Sequence, residues 1–197
     1  MRKKIVTVTT GTRADYGILR PLLKKMSLSK KLQLILIVTG SHLSKNHGNT
    51  IQEIIKDGFK INTKINIVPK KDDSFHISMS IGKGIIEFSK CFKKLKPDLN
   101  IVFGDRYEML SSTVAAYNQN IPNVHIHGGD KSGGLDEYTR HAITKMSNIH
   151  FAATQKSATR IKKMGENPKY IIQSGSLSID EIIKNKISSL EELNLKY

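Results

Sequence analysis

The chain has 197 residues, 38% of them hydrophobic and 25% charged, and its formal net charge is +15. This length predicts one domain whose hydrophobic core needs no disulfide or metal to hold it together. The single cysteine, Cys91, excludes an intrachain disulfide and favours a cytoplasmic location, and the longest apolar run, residues 32–38, is too short to span a membrane.

Short apolar runs alternate with longer amphipathic stretches along the whole chain. In chain order this periodicity predicts a strand at 4–9, a helix at 16–25, a strand at 34–38, a helix at 50–56, a strand at 64–68, a helix at 75–95, a strand at 99–103, a helix at 107–118, a strand at 124–127, a helix at 136–147, a strand at 149–153, a helix at 155–164, a strand at 170–173 and a helix at 179–184. The alternation predicts an α/β domain with a Rossmann-like, mainly parallel sheet and helices on both faces. Ligands of such sheets bind at the carboxyl ends of the strands, so the loops that follow strands are the places to look for a site.

The lysines that make the chain basic lie on predicted helix faces and form no single basic arm. Lys24-Lys25, Lys93-Lys94 and Lys162-Lys163 are examples. We therefore expect a solvated lysine-rich surface and neither a nucleic-acid nor a membrane partner. A field that attracts an anionic ligand and true nucleic-acid binding remain the alternatives.

The loop after the first predicted strand reads GTRADYG at residues 11–17. Gly11 allows a ligand to approach the backbone closely, and the next helix presents its amino terminus to an anion. Arg13 has the geometry to pair with a phosphate through two hydrogen bonds. A plain turn capped by Asp15 is the alternative. The loop matches neither a dinucleotide-binding nor a Walker motif, and Gly82-Lys83-Gly84 lies inside a predicted helix.

The loop after the strand at 99–103 places an acid beside a base, Asp105 and Arg106, at the start of a helix that also carries Glu108. An apolar strand that ends in such a pair is typical of active-site chemistry. The alternative is that Asp105 caps the helix while Arg106 is solvated.

The loop after the strand at 124–127 is the longest, with residues 125–137 reading HIHGGDKSGGLDE. Because strand residues alternate between faces, we expect His125 and His127 to face the same way. The interpretations left open are an acid/base site acting on a sugar, a metal site, and histidines hydrogen-bonded to the backbone. The loop lacks the close spacing of ligand residues that known metal-binding motifs have, and this counts against the metal site. The isolated histidines are expected to be surface or hydrogen-bonded residues: His42, His47, His76 and His150.

These loops together resemble the hydrolysing UDP-N-acetylglucosamine 2-epimerases of sialic and related nonulosonic acid synthesis. The motifs that carry the resemblance are GTRADYG at 11–17, VFGDRYE at 102–108, residues 125–151 and GSLSIDEI at 175–182. The resemblance implies one half of a two-domain, glycosyltransferase-B-like fold. It also implies release of UDP from UDP-N-acetylglucosamine to give N-acetylmannosamine, by elimination to a glycal and then hydration, with no metal or cofactor.

The resemblance also implies roles for single residues. Asp105 and Asp136 match the catalytic acids of the family, while His127 stands where the family commonly has a catalytic glutamate, so that Asp130 is expected to share its work. The residues expected to bind the substrate are Gly11, Arg13, Asp15, Arg106, Glu108 and His141. Because a histidine stands at 127 instead of the usual glutamate, the catalytic activity could be altered or the substrate could be a different sugar.

The resemblance further implies a domain at residues 1–175, followed at 176–197 by the start of a helix that crosses to a second domain. We expect that second domain to be missing from this chain. In the family it supplies a further catalytic histidine and most nucleotide contacts. The family also tends toward homodimers. Two alternatives remain open: an epimerase for another UDP- or GDP-linked amino sugar, and a truncated nucleotide-sugar-binding domain without catalysis.

Overall fold

The computed structural model describes residues 2–44 and 50–184. Within them the strands are β1 Lys4–Thr10, β2 Leu32–Thr39, β3 Ile61–Ile65, β4 Leu99–Phe103, β5 Asn123–Ile126, β6 Ile149–Ala152 and β7 Ile171–Gln173. They form one sheet in the order β3-β2-β1-β4-β5-β6-β7, and the neighbouring strands are parallel. The helices are α1 Arg13–Ser27, α2 Ile51–Lys56, α3 Ser74–Leu95, α4 Tyr107–Asn118, α5 Gly134–Lys145, α6 Gln155–Lys163 and α7 Leu177–Lys184. Short 3-10 helices lie at Gly40–Leu43 and Pro168–Tyr170.

The sheet is buried on both faces, as the alternation of residues along β2 shows. Leu36 and Val38 belong to a core cluster shared with α1 and α2, whereas Ile35 and Ile37 belong to a second cluster shared with α3 and α4. Because successive strand residues point to opposite faces, a continuous apolar strand needs helices on both sides. The predicted Rossmann-like sheet is therefore confirmed.

Local sequence signals set the helix ends that matter for the site. Thr12 caps α1 by accepting a hydrogen bond from the backbone of Asp15, whose carboxylate accepts one from the backbone of Thr12 in return. Helix α3 is capped by Asp73 and ends at Lys96, just before Pro97. Gly82 and Gly84 lie inside α3, which confirms that they form no dinucleotide-binding loop.

The third strand lies earlier in the chain than predicted, at Ile61–Ile65 instead of 64–68. Its pairing with β2 ends where Thr39 meets Ile65, because β2 then turns into the 3-10 helix at Gly40–Leu43. Ile67 is fully buried in the second core cluster although it lies outside the strand. The strand was predicted too late in the chain because Ile67 is buried although it pairs with no strand.

Helix α7 packs against α1, and Leu177 contacts the first core cluster. The domain boundary near residue 175 stays a prediction, and the predicted tail from residue 185 onward lies outside the described residues. In the part of the chain that the structure describes, no helix is long and apolar enough to cross a membrane.

The two glycines of α3 make a matched test of how tightly α3 packs on α4. A Cβ added at Gly84 would lie 2.6 Å from the Oγ of Ser111 on α4, whereas a Cβ at Gly82 would meet no heavy atom within 4 Å. We predict that Gly84→Ala lowers the free energy of unfolding by about 1–3 kcal/mol through overpacking. Gly82→Ala should raise it by about 0.5–1 kcal/mol, since alanine favours the helix. Urea unfolding of both variants measures the difference, and equal effects would contradict the close packing.

Candidate active site

The polar loops that follow the strands meet at the carboxyl edge of the sheet, around the point where the strand order reverses between β1 and β4. The loop after β2 joins them there. The carbonyl oxygen of Gly11, after β1, accepts hydrogen bonds from the His42 backbone at 3.3 Å and the Ser41 hydroxyl at 3.1 Å. The structure thus brings the loops after β1, β2 and β4 into contact, and two groups of charged residues lie along them.

The first group consists of Asp15, Arg106 and Glu108. Glu108 is fully buried in the first turn of α4, and its two carboxylate oxygens accept hydrogen bonds from Nε and Nη2 of Arg106, each at 3.2 Å. Its side chain fits there because Gly11 and Gly40 have no Cβ: a Cβ at Gly11 would lie 3.2 Å from the Glu108 carboxyl carbon, and one at Gly40 would collide with Oε1. Burial of this charge therefore depends on the glycines and on Arg106.

Asp15 is buried beside this pair. Its carboxylate accepts hydrogen bonds from the backbone of Thr12 at 3.1 Å and of Gly11 at 3.4 Å. Burial, reinforced by the negative charge of Glu108, raises the pKa of Asp15 to about 6, although Arg106 opposes the shift. The carboxyl group of Asp15 therefore gains or loses its proton at mildly acidic pH. Asp15 takes part in the capping box of α1, although the cap itself is Thr12, and its predicted contact with the substrate stays a prediction.

Arg13 stands apart from this group. It begins α1 with 74% of its side chain exposed, and its Nε lies 2.9 Å from a carboxylate oxygen of Glu53 on α2. The exposed guanidinium lies at the start of a helix next to these loops, where a ligand could contact it. Its predicted contact with a nucleotide sugar stays a prediction.

The second group, which we call the arginine-centred cluster, consists of Asp105, His127, Asp130, Arg140 and Ser157. Arg140 of α5 forms an ion pair with Asp105 through Nη2, and its Nη1 lies 3.5 Å from Oδ2 of Asp130. Ser157 of α6 donates to the other oxygen of Asp130. The acids predicted after β4 and β5 are thus brought together by an arginine. Asp105 does not cap α4, because the capping position is Arg106, so that alternative is wrong.

His127 contributes a neutral ring to this cluster. Its Nδ1 lies 3.9 Å from Oδ2 of Asp130, its ring centroid lies 4.9 Å from that of Phe103, and its buried Nε2 has no partner among the described residues. Burial lowers the pKa of His127, with Asp130 acting against the shift and Arg140 with it. An imidazole that is neutral at physiological pH can accept a proton from a substrate.

The expectation that His125 and His127 alternate on one strand is wrong. Strand β5 ends at Ile126, and His127 has a left-handed backbone with φ of 62°. His125 is fully buried, with Nε2 donating to the carbonyl of Gly104 at 2.8 Å and Nδ1 3.1 Å from the hydroxyl of Thr144. Burial lowers its pKa to about 3. His125 is thus the backbone-bonded histidine of the alternative interpretation.

The remaining histidines were expected to be surface or hydrogen-bonded residues. His42 is buried with its ring nitrogens 3.0 Å from Thr10 Oγ1 and 2.7 Å from Thr50 Oγ1, and His76 pairs with Asp73, which confirms the expectation for both. His150 is buried with Nε2 3.4 Å from a carboxylate oxygen of Glu166. His47 lies outside the described residues.

The first turns of α5 carry the other predicted residues. Asp136 is exposed there, and no contact joins it to the arginine-centred cluster in the described structure. His141 is half-buried, and its Nε2 has no partner among residues 2–44 and 50–184. Glu137 instead closes the preceding loop by accepting hydrogen bonds from the backbone of Ser132 and Gly133. The predicted roles of Asp136 and His141 therefore stay predictions.

Sequence reasoning gave no role to Arg140, and it missed Ser157 and the loop after β2. A signal for Arg140 was present, because it follows Asp136 by one helical turn and so lies on the same face of α5. Ser157 and the Gly40–Leu43 segment had no such signal, since only the fold brings them to this edge. Across residues 2–44 and 50–184, no group of three His, Cys, Asp or Glu side chains has the arrangement to hold a metal ion.

Comparison with known proteins shows which family the chain belongs to. The profile of the family described as UDP-N-acetylglucosamine 2-epimerase matches residues 24–196. The chain belongs to that family. Among curated members it is 42% identical over 197 residues to the UDP-N,N'-diacetylbacillosamine 2-epimerase (hydrolyzing) of Legionella pneumophila, covering 100% of this chain and 52% of that protein. It is 39% identical over 186 residues to the GDP/UDP-N,N'-diacetylbacillosamine 2-epimerase (hydrolyzing) of Campylobacter jejuni, covering 94% of this chain and 48% of that one.

The fold of this family member is also that of a solved epimerase. The crystal structure of UDP-GlcNAc 2-epimerase from Neisseria meningitidis bound to UDP-GlcNAc superposes with a TM-score of 0.81 at 23% identity, covering 98% of this chain and 50% of that one. The chain spans about half the length of the relatives that it matches. The predicted resemblance and its half-length extent are therefore confirmed.

Titration of Asp15 gives a test of this site that needs no ligand. Since its folded pKa of about 6 exceeds the ordinary value of 3.8, the folded chain binds more protons than the unfolded chain between these values, and stability falls as the pH rises through them. We predict that the free energy of unfolding, measured relative to Asp15→Asn, falls by about 3 kcal/mol between pH 3.5 and pH 7. Urea unfolding of both proteins across this range measures it. Parallel curves would show that Asp15 is not buried as described.

Proposed function

We propose that this chain is the sugar-handling half of a hydrolysing 2-epimerase that acts on a UDP-linked N-acetylated amino sugar. The arginine-centred cluster supports this best, because it places two carboxylates and a neutral imidazole beside one another at the carboxyl ends of β4 and β5. Chemistry at a sugar carbon needs such positioned acid/base groups. With UDP-N-acetylglucosamine the products are UDP and free N-acetylmannosamine, a product that fits the expected place in sialic or related nonulosonic acid synthesis.

The reaction needs a proton removed, a phosphate released and water added. A base takes the proton from C2 while the bond between C1 and the phosphate oxygen breaks, so that UDP leaves with the electron pair and a glycal remains. Water then adds across the double bond: C2 gains a proton on the opposite face and C1 gains the hydroxyl. Each half of the reaction uses one proton-accepting and one proton-donating group, so at least two titratable groups must reach the sugar.

We assign the proton transfers on this half to the arginine-centred cluster. Asp105 is the base at the end of β4, and His127 moves the second proton with Asp130 beside it, because burial leaves its Nε2 neutral and without a partner among the described residues. Asp136 reaches the sugar from the exposed first turn of α5. The half-exposed Arg106 and the exposed Arg13 supply positive charge for the diphosphate.

The identity of the sugar and that of the nucleotide that carries it are the finer part of the proposal. The family description names UDP-N-acetylglucosamine, whereas the two curated relatives described above are named for N,N'-diacetylbacillosamine carried on UDP or on GDP or UDP. Because the chain spans about half of each relative, we propose that a second domain supplies the remaining nucleotide contacts. Turnover of both sugars on both nucleotides by the two-domain protein, meaning this chain joined to that second domain, decides among them.

Replacement of Asp105 tests the assignment of the base. We predict that Asp105→Asn lowers kcat of the two-domain protein by at least about 100-fold, since an amide cannot take the C2 proton. Asp72→Asn, which changes an exposed aspartate before α3 in the same way, should leave turnover unchanged. Release of UDP is followed by a coupled assay and the free sugar by NMR. Full turnover by Asp105→Asn would remove Asp105 from the mechanism.

A nucleotide-sugar-binding domain without catalysis is the second candidate, and the half-length match favours it for the chain by itself. Turnover by the two-domain protein, measured together with UDP binding by calorimetry, separates the two functions. Tight binding by this chain without turnover by the two-domain protein would support the binding domain. Turnover by the two-domain protein would support the enzyme.

A further inference from the structure

The Arg140 side chain contacts three members of the arginine-centred cluster: Asp105, Asp130 and the backbone of His127. We propose that Arg140 is a positioning residue, which fixes Asp105 and Asp130 relative to each other so that the carboxylates and His127 reach one sugar at the same time. This inference rests on the proposed function. It concerns the geometry of the acid/base groups, and Arg140 itself transfers no proton.

The contacts of the Arg140 side chain join the loops after β4 and β5. Nη2 pairs with Asp105 after β4, and Nη1 lies 3.5 Å from Oδ2 of Asp130 and 3.4 Å from the carbonyl oxygen of His127 after β5. Only 13% of the side chain is exposed. One planar guanidinium thus contacts both acids and the backbone of the histidine, and the surrounding protein limits its movement.

The backbone of Arg140 is linked to the β4 loop by a second route. The Thr144 hydroxyl lies 2.9 Å from the carbonyl oxygen of Arg140 and 3.1 Å from Nδ1 of His125, and the two acceptors share its single proton. The other ring nitrogen of His125 donates to the carbonyl of Gly104, the residue before Asp105. Helix α5 therefore holds the β4 loop through buried, neutral groups as well as through the ion pair.

Asp130 is fixed from its other side by α6. Ser157 donates to its Oδ1, and Thr154 caps α6 through the backbone of Ser157. Gly129, just before it, packs so closely on α6 that an added Cβ would lie 2.6 Å from Ile161 Cγ1. The β5 loop is therefore anchored on α6, and Arg140 spans the distance from this anchored loop to Asp105.

The chemistry explains why an arginine is needed at this position. Two partly exposed carboxylates of like charge repel each other, and a cation between them offsets the repulsion. The forked guanidinium can serve two carboxylates and a carbonyl in one plane, whereas the ammonium of lysine is a single point charge on a flexible stem. Arg140→Lys therefore keeps the charge but loses the geometry, which separates positioning from simple charge balance.

The first measurement uses the chain itself and needs no substrate. Histidine labelled with ¹⁵N reports the pKa of His127 by NMR, assigned through His127→Gln. The charged groups that face His127 are Asp130 and Arg140, so Arg140→Met is expected to raise the pKa of His127. Lys145→Met, which removes a charge from the next turn of the same helix, should leave it unchanged. An unchanged His127 pKa in Arg140→Met would overturn the proposed placement of Arg140.

The second measurement uses turnover by the two-domain protein. Arg140→Lys is expected to lower kcat about 100-fold, with KM within a few-fold, because small displacements of reacting groups cost about this much in rate. Lys145→Met should turn over normally. If Arg140→Lys unfolds, as judged by circular dichroism, Ser157→Ala replaces it, since loss of this partner of Asp130 should lower kcat in the same way.

The outcomes separate this inference from the proposed function. Normal kcat in Arg140→Lys, or in Ser157→Ala where that replaces it, overturns the inference while the epimerase function stands. Absence of turnover in the unaltered two-domain protein overturns the function, and the His127 titration then decides the placement of Arg140. A fall in kcat with little change in KM, together with the raised His127 pKa, supports the inference.

Discussion

The neighbours of β1 in the sheet are β2 on one side and β4 on the other, and every part of the candidate site depends on this arrangement. The loop after β1 leads to a helix on one face of the sheet, whereas the loop after β4 leads to a helix on the opposite face. The two loops therefore lead to opposite faces of the sheet, and the Glu108 side chain packs against Gly11 between them. Because all neighbouring strands are parallel, the loop after β5 ends at the same edge. The polar residues of three separate sequence segments become neighbours for this reason alone.

Carboxylates that are buried or partly buried are the cost of this arrangement, and the chain compensates for them in two ways. Glu108 is enclosed by the backbone of Gly11 and Gly40 and is neutralised by a half-exposed arginine two residues before it. Asp105 and Asp130 come from different loops and share Arg140, which is itself nearly buried. An unpaired buried charge costs several kcal/mol, so neither group would tolerate loss of its arginine as well as an exposed ion pair would. The ion pair of the first solution is local in sequence, whereas its glycine enclosure and the whole of the second solution require the assembled fold.

That difference explains how far the sequence alone could lead. The strands and helices, the sheet class and the loops that form the site follow from apolar periodicity and from polar residues placed after strands. The third strand was misplaced because Ile67 is buried without being paired. The common direction expected of His125 and His127 failed because period-2 alternation holds only while the strand continues, and β5 ends at Ile126. The contacts of Ser157 with Asp130 join residues 27 apart, and no local pattern encodes them.

The end of β5 also shows how the chain delivers His127 to the site. A non-glycine residue in the left-handed region costs about 1 kcal/mol or more and persists only when surrounding contacts fix it. Here its N–H donates to the carbonyl of Phe151 at 2.9 Å and its own carbonyl accepts from Arg140, so both backbone groups are held. The turn at this residue ends the strand and sets the imidazole against Phe103, beside Asp130 and away from the buried environment of His125. Strain at this one residue thus places two histidines, two positions apart in the sequence, in different surroundings.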